Sequence, residues 1–183
     1  RPSNLRAERL RFSMTLVAFP MIAFLPVWLV QSGTEEAVMR GYLLQRHALK
    51  LPAWPAILIV SVGFAAIHLD PEPVVLANTA LFSTALCFVA LAQGSLWPGI
   101  GIHAGWNMVQ GQVFGLPVSG TPLANSLFSL APVPGTAPLL TGGGYGPEGS
   151  LPVTLVLILA CIAAYLHFRR TSEASPVAGP HPR

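Results

Sequence analysis

Two adjacent carboxylates and an arginine, Glu35, Glu36 and Arg40, lie within an otherwise apolar part of this sequence. Ionisable groups in membrane segments are rare, and they usually face a packed interior or a wet cavity. On a helix, Glu36 and Arg40 are four residues apart and share a face, whereas Glu35 lies about 100° round the helix. We therefore expect Arg40 to neutralise Glu36, so that this pair orients Glu35 and leaves its carboxylate free for chemistry.

Two further apolar stretches each place a histidine four residues from a second notable side chain. These pairs are Phe64 with His68 and His103 with Asn107, and on a helix each pair shares one face. Three helices could then direct four polar side chains at a common centre: Glu35, His68, His103 and Asn107. Such a set can activate a water molecule, by Glu35 with His68, and stabilise an oxyanion, by His103 with Asn107. Phe64 is expected to pack beside the site.

A metal ion is the alternative means of activating water. Glu35, His68 and His103 could ligate Zn²⁺, because two imidazoles and a carboxylate with one open position form a known catalytic arrangement. No HExxH motif occurs, so the ligands would come from three separate helices. The sequence leaves metal-bound and metal-free water both open. Other intramembrane protease chemistries lack their residues, since the chain has a single aspartate, Asp70, and no Gly-x-Ser-x-Gly motif.

Structural roles would account for some of these residues taken one at a time. Ser32-x-x-Glu35 fits a capping box, in which the glutamate only closes the start of a helix. A single buried histidine such as His68 or His103 is more often hydrogen-bonded across a helix interface than catalytic. The presence of all four polar residues favours a hydrolytic site.

The composition is that of an integral membrane protein. Of 183 residues, 52% are hydrophobic and only 9% are charged, and the mean hydropathy is +0.60. The net charge of +3 does not indicate nucleic-acid binding, because the basic residues flank apolar runs instead of forming a patch. Cys87 and Cys161 lie in apolar runs and are expected to be small buried hydrophobes. The chain begins with Arg1, as expected of a processed protein or a piece of a longer one that has further helices upstream, and no secretory signal peptide is recognisable.

The apolar runs predict an all-α fold, a polytopic transmembrane bundle of about six membrane helices. Ser32-Gly33-Thr34 is expected to separate the first span from the helix that carries Glu35, and Pro20 and Pro26 are expected to kink the first span. The predicted helices are residues 12–30, 32–49, 53–69, 74–93, 94–114 and 151–168.

The chain is expected to form one domain, residues 1–170, followed by a disordered tail, residues 171–183. Residues 115–150 are rich in Gly, Pro, Ser and Thr and form a long connection, for which we expect a role as a lid or in substrate binding. Within this connection, residues 141–149 require permissive backbone angles at several glycines. The distribution of Lys and Arg places both chain ends on the cytoplasmic side, with Glu35 and His68 toward the outer leaflet.

The three polar stretches, taken in order, resemble the CPBP intramembrane proteases, also called the Abi family, which are named for CAAX-protein endopeptidases and bacteriocin-processing enzymes. The resemblance covers about residues 33–107, and residues 142–149 look like a segment found after the third motif in bacterial members. The motifs that carry it are Glu35-Glu36-x-x-x-Arg40, Phe64-x-x-x-His68 and His103-x-x-x-Asn107.

This resemblance implies an α-helical membrane peptidase in which Glu35 activates water with His68, while His103 and Asn107 form the oxyanion hole. It is compatible with a metalloprotease and with a metal-independent glutamate mechanism. We therefore expect a lipid-embedded endopeptidase of a bacterial cell membrane, acting on a peptide or a membrane-anchored protein. The alternative is a non-catalytic transporter or immunity factor that uses the polar cluster for proton coupling or structure. A transporter would need a substrate path and usually paired repeats, and neither is recognisable.

Overall fold

A computed structural model of the chain describes residues 23–174. These residues form helices and connecting loops without a β-strand, and a single isolated bridge pairs Val118 with Thr121. The predicted all-α fold class is therefore confirmed. The division into a domain of residues 1–170 and a tail stays a prediction.

Six α-helices are numbered here in chain order. They are α1 (residues 23–48), α2 (Ala53–Ala66), α3 (Pro73–Gln93), α4 (Trp97–Met108), α5 (Pro138–Thr141) and α6 (Leu151–Ala174). Two segments have π-helical hydrogen bonds, namely Ala37–Leu44 within α1 and Val109–Val113 directly after α4. Such segments are frequent at functional sites, and both lie beside a polar motif of this chain.

Helix α1 runs without interruption through Ser32-Gly33-Thr34, so the predicted break at these residues is wrong. The Thr34 hydroxyl donates to the carbonyl of Val30 at 2.8 Å, which keeps it within the helical turn. A glycine inside a helix costs only about 1 kcal/mol, which tertiary packing readily offsets. The capping-box interpretation of Ser32 and Glu35 is also wrong, because no helix starts there. The kink expected at Pro20 lies outside the described residues.

Helix α2 ends at Ala66, so His68 lies in the following turn and not on a helical face. Leu69 adopts a left-handed conformation with φ of 55°, which turns the chain away from the helix axis. Nδ1 of His68 lies 2.7 Å from the carbonyl oxygen of Phe64, one of the carbonyls left free at the helix end. His68 is thus held close to Phe64 by capping the helix, not by helical periodicity.

Helix α6 continues beyond Phe168, where the last predicted span ended, to Ala174. Residues 171–174, which were predicted to belong to the tail, are therefore helical in the structure, while residues 175–183 lie outside the described part. Arg169 and Glu173 form an exposed ion pair of 2.9 Å at a spacing of four residues, which supports the extra helical turn.

Helix α3 is central to the packing and contacts α2, α4 and α6. Helices α3 and α6 are each long and apolar enough to cross a membrane, with mean hydropathies of 2.1 and 2.2, whereas α2 is apolar but shorter. Much of α6 is exposed, including Leu155, Ile158 and Ile162, as expected of a helix that faces lipid. The expected total of six spans stays a prediction, and the first of them, 12–30, lies only partly within the described residues.

The hydrophobic core lies where α1, α2 and α3 meet, next to the polar motifs. It contains eight buried residues: Met39, Leu44, Ala56, Ile57, Val60, Phe64, Cys87 and Phe88. Phe64 belongs to this core and also borders the polar side chains. The packing that stabilises the helix bundle therefore also holds Phe64 in place beside those polar side chains.

Candidate active site

Glu36 and Arg40 form a completely buried ion pair on α1. Nη1 of Arg40 donates to Oε1 of Glu36 at 2.9 Å, and Nη2 donates to the carbonyl of Ser83 on α3 at 3.1 Å. The guanidinium also lies 4.8 Å from the centre of the Phe64 ring. A Cβ atom at Gly99 of α4 would come within 3.3 Å of Oε2 of Glu36, so glycine allows α4 to approach this carboxylate. Hydrogen bonds and packing thus compensate for much of the desolvation of the pair.

His103 on α4 lies between the two adjacent carboxylates. Its Nδ1 is 2.9 Å from Oε1 of Glu36, and its Nε2 is 3.7 Å from Oε2 of Glu35. Glu36, ionised beside Arg40, can only accept a hydrogen bond, so Nδ1 of His103 carries a proton. This contact fixes the orientation of the imidazole and directs Nε2 toward Glu35.

A cavity of about 330 Å³, the outer cavity, is open between α1, α4 and the connection that follows α4. Its polar lining consists mainly of Gln31, Glu35, His68, His103, Asn107 and Ser119. The structure thus brings together the four side chains that the sequence predicts at a common centre. Oε2 of Glu35 is buried and has no hydrogen-bond partner among the described residues. Glu35 itself lines the cavity and its side chain is 31% exposed, so the carboxyl group is within reach of a ligand there.

An inner cavity of about 30 Å³ adjoins the same side chains. Four polar residues line both cavities, namely His68, His103, Asn107 and Ser119, and the polar part of the inner one is completed by Asn78, Thr79, Trp106 and Glu148. A volume of this size is sufficient for one water molecule.

His68 faces both cavities but does not contact Glu35 directly. Within residues 23–174 no hydrogen bond or ion pair joins the two, and the imidazole nearest to the Glu35 carboxylate is that of His103. The ring of His68 packs edge-on against Phe64 with a centroid separation of 4.8 Å. The pairing of Glu35 with His68 expected from the sequence is therefore not a direct contact in this structure.

Asn107 is joined to Glu35 through Gln31. The amide nitrogen of Asn107 lies 3.1 Å from Oε1 of Gln31, and Nε2 of Gln31 donates to Oε1 of Glu35 at 2.5 Å. This chain of side chains connects α4 to α1 along the wall of the outer cavity.

Glu148 attaches the long connection to the site. Its carboxylate accepts hydrogen bonds from Nε1 of Trp106 at 3.0 Å and from the backbone nitrogen and hydroxyl of Ser119 at 2.7 and 3.2 Å. The amide of Asn78 on α3 donates to the carbonyls of Glu148 and Ser150. The connection therefore lines both cavities and is attached to both α3 and α4.

The glycines that precede Glu148 allow this close approach. Gly142 and Gly146 have φ values of 81° and 95°, and a Cβ atom at Gly146 would clash with the carbonyl of Pro117. The backbone nitrogen of Gly120 donates to the carbonyl of Tyr145 at 2.9 Å. Burial raises the pKa of the Tyr145 phenol, so this side chain stays protonated and uncharged at neutral pH.

The three predicted zinc ligands line the outer cavity together but do not form a metal-binding group in this structure. Within residues 23–174 no hydrogen bond or ion pair joins His68 to Glu35 or His103, and no group of three His, Cys, Asp or Glu side chains is close enough to hold a metal. Zinc binding therefore stays a prediction.

Sequence reasoning missed three residues that border the cavities: Gln31, Ser119 and Glu148. Gln31 carries the available signal, because it precedes Glu35 by one helical turn and so shares its face. Glu148 is the only charged residue between Lys50 and Arg169 besides Asp70 and Glu72, which marks it as unusual in an apolar region. Ser119 has no comparable signal.

Comparison with known proteins identifies the family. No curated protein and no solved structure matches this chain. The family model described as type II CAAX prenyl endopeptidase Rce1-like matches residues 17–109, just over half of the chain. The matched segment extends from before Gln31 to beyond Asn107 and therefore contains all four predicted site residues. The chain accordingly belongs to the type II CAAX prenyl endopeptidase Rce1-like family and is an integral membrane protease that acts on membrane-associated proteins.

Proposed function

We propose that the outer cavity is the active site of an endopeptidase in which Glu35 is the general base that activates water. The observation that carries this proposal is that Glu35 lines a polar cavity beside an imidazole, while its oxygen Oε2 has no hydrogen-bond partner among the described residues. Burying a polar atom without a partner is costly, so such an atom is expected to serve a ligand. Water is the ligand that peptide hydrolysis requires.

His103 and Asn107 are proposed to stabilise the oxyanion. Nδ1 of His103 is engaged by Glu36, so Nε2 can donate a hydrogen bond only when the ring is an imidazolium. The imidazolium then donates from Nε2, and Asn107 donates the amide hydrogen that Gln31 does not use, toward the developing negative charge.

His68 is proposed to transfer the proton to the leaving amine. Its Nδ1 lies beside the carbonyl of Phe64, which can only accept, so Nδ1 carries the proton and Nε2 of the neutral ring is an acceptor. His68 lines both cavities and can therefore reach a bound peptide without contacting Glu35. In this sequence Glu35 takes a proton from water and the hydroxide attacks the carbonyl carbon. Glu35 then passes that proton through a cavity water to Nε2 of His68, and the resulting imidazolium gives a proton to the amine as the C–N bond breaks.

The substrate is proposed to be a peptide segment of a protein anchored in the same membrane. The apolar outer surface of α6 keeps the protein in lipid, while the outer cavity is open toward a segment that approaches between α1 and the long connection. A cleavage assay would determine the length of the cleaved segment and the chemical nature of the anchor.

The test uses the full chain in proteoliposomes with an internally quenched peptide carrying a C-terminal prenylated cysteine motif. Glu35→Gln is expected to lower kcat/KM by roughly 10²–10⁴-fold, because removal of a general base has effects of this size. His103→Ala is expected to be similarly inactive. Wild-type rates in Glu35→Gln would overturn the proposal.

A matched control and a chelator complete this experiment. Thr34→Ala changes the exposed neighbour of Glu35 on the same helix, and it is expected to keep wild-type activity. A chelator is expected to leave the rate unchanged, since the candidate ligands line one cavity but do not form a metal-binding group in the described part of the chain. Loss of activity with chelator, restored by added Zn²⁺, would replace the metal-free mechanism.

A further inference from the structure

Gln31 connects the proposed base to the proposed oxyanion donor, although it lies outside all three polar motifs. It is half-buried on α1, one turn before Glu35, and it lines the outer cavity. Its amide nitrogen contacts the Glu35 carboxylate, and its amide oxygen contacts the amide nitrogen of Asn107 at 3.1 Å. One side chain therefore touches a reacting group on α1 and another on α4.

The ionisation of Glu35 determines the orientation of this chain of amides. A carboxylate can only accept hydrogen bonds, so Gln31 must present its NH₂ end to Glu35. Its oxygen then faces Asn107, which must present its own NH₂ group in turn. The second hydrogen of that group is left for the cavity, where an oxyanion would form. The hydroxyl of Ser32 also donates to the Gln31 oxygen at 3.1 Å and favours the same orientation.

We propose that Gln31 is a positioning residue that sets the orientation of Glu35 and Asn107 relative to each other. This inference rests on the proposed function of both residues. Gln31 does not itself act on the substrate. Its contribution is to keep a carboxylate and an amide from two different helices in a productive arrangement, and small errors in such an arrangement slow an enzyme about 100-fold.

A purely structural role for Gln31 would have a different signature. A side chain that only joins α1 to α4 would contribute to stability independently of the chemistry, and its loss would add to the loss of Asn107. A positioning residue acts through Asn107 and Glu35, so its loss matters mainly while they are present. The two roles therefore differ in a double-mutant cycle.

The experiment compares Gln31→Met with wild type in the prenylated-peptide assay. Methionine keeps the length of the side chain but removes both hydrogen bonds. We expect kcat to fall about 10–100-fold while KM stays within about twofold, since binding of the peptide is not the function assigned to Gln31. In an Asn107→Ala background the same substitution is expected to lower kcat clearly less than it does in wild type, because only the contact with Glu35 remains to be lost.

Two further variants guard against a loss of folding. Gln31→Glu retains an acceptor for Asn107 but opposes the Glu35 carboxylate with a like charge, and it is expected to be at least as slow as Gln31→Met. Gln45→Met makes the same substitution on the same helix, where the glutamine contacts only the carbonyl of Arg40, and is expected to be fully active. Thermal unfolding of each variant reports the folded fraction used to correct the rates.

The outcomes separate this inference from the proposed function. Wild-type kcat in Gln31→Met together with an inactive Glu35→Gln would overturn the positioning role alone. A full, additive effect of Gln31→Met in the Asn107→Ala background would do the same, as would a raised KM with unchanged kcat. An active Glu35→Gln would overturn both proposals.

Discussion

Two neighbouring residues of α1 anchor two polar regions with opposite properties. Around Glu36 the region is dry: Arg40 and His103 both donate to one carboxylate oxygen, and Gly99 closes the space beside the other. Around Glu35 the region borders a cavity, and one carboxylate oxygen has no partner among the described residues. The helical rotation of about 100° between adjacent residues accounts for the difference. This comparison indicates a structural role for the Glu36 carboxylate and leaves the Glu35 carboxylate available for chemistry.

The largest expected effect comes from removing the charge of each glutamate in turn. Glu35→Gln should lose roughly 10²–10⁴-fold in kcat/KM with an unchanged unfolding midpoint, since its region is not fully packed. Glu36→Gln should lose stability, because Arg40 is left buried without a counter-ion. Peptide cleavage and unfolding by denaturing detergent, measured on both variants, provide the comparison. If both variants were stable and equally slow, the distinction between the two regions would fail.

A second prediction concerns the ion pair itself. Arg40→Met should destabilise the protein by about 3–5 kcal/mol, because it leaves a buried carboxylate uncompensated. The double variant Glu36→Gln with Arg40→Met should recover much of that loss, since neither the guanidinium nor the carboxylate of the pair then remains buried without its partner. The same detergent titration measures both. A double variant that is less stable than Arg40→Met would contradict this account.

A smaller effect is expected where the long connection meets the site. Glu148→Gln keeps the shape of the side chain but weakens charge-assisted hydrogen bonds to Trp106 and Ser119. We expect this variant to lose about 1.4 kcal/mol of local stability, which corresponds to roughly tenfold faster local opening of the connection. Hydrogen exchange of residues 138–150 measures this rate, and α3 serves as the internal reference. Uniformly faster exchange throughout the protein would instead indicate global destabilisation.

The smallest effect is expected at the contact between α4 and the dry region. Gly99→Ala places a methyl group 3.3 Å from Oε2 of Glu36, which requires a small displacement of the carboxylate. We expect a loss of about 1 kcal/mol in stability, at the low end for overpacking, with little change in kcat. Gly101→Ala is the matched control, because a Cβ atom there meets nothing within 4 Å. Equal destabilisation by both variants would refute a specific contact.

Local spacing predicted the parts of the site that depend on one helix. The contact of Glu36 with Arg40 and the placement of His103 and Asn107 on a common helix follow from a spacing of four residues, which any α-helix converts into proximity. The polar side chains of three separate segments were also expected to converge, because each is costly in lipid unless it faces a shared cavity.

The parts that depend on tertiary packing could not be read in this way. Ser32 and Gly33 favour a break by their intrinsic propensities, yet packing carries α1 straight through them. The contact of Glu35 with His103 and not with His68 depends on the relative depth of α1 and α4, which no local pattern specifies. The position of Glu148 depends on the path of a connection of more than thirty residues with little periodicity.

Trp106 separates two compartments of different polarity. Its side chain lines both the inner cavity and an apolar groove of about 440 Å³ on α4, formed with Ile102, Val109 and Phe114. The fluorescence of Trp106 can therefore report on both compartments. In a variant that keeps Trp106 and replaces the other three tryptophans by phenylalanine, brominated acyl chains should quench its emission from the groove. A peptide inhibitor that fills the inner cavity should shift the wavelength of the same emission. The fluorescence of one indole would then report binding of the lipid anchor and binding of the cleavable segment separately.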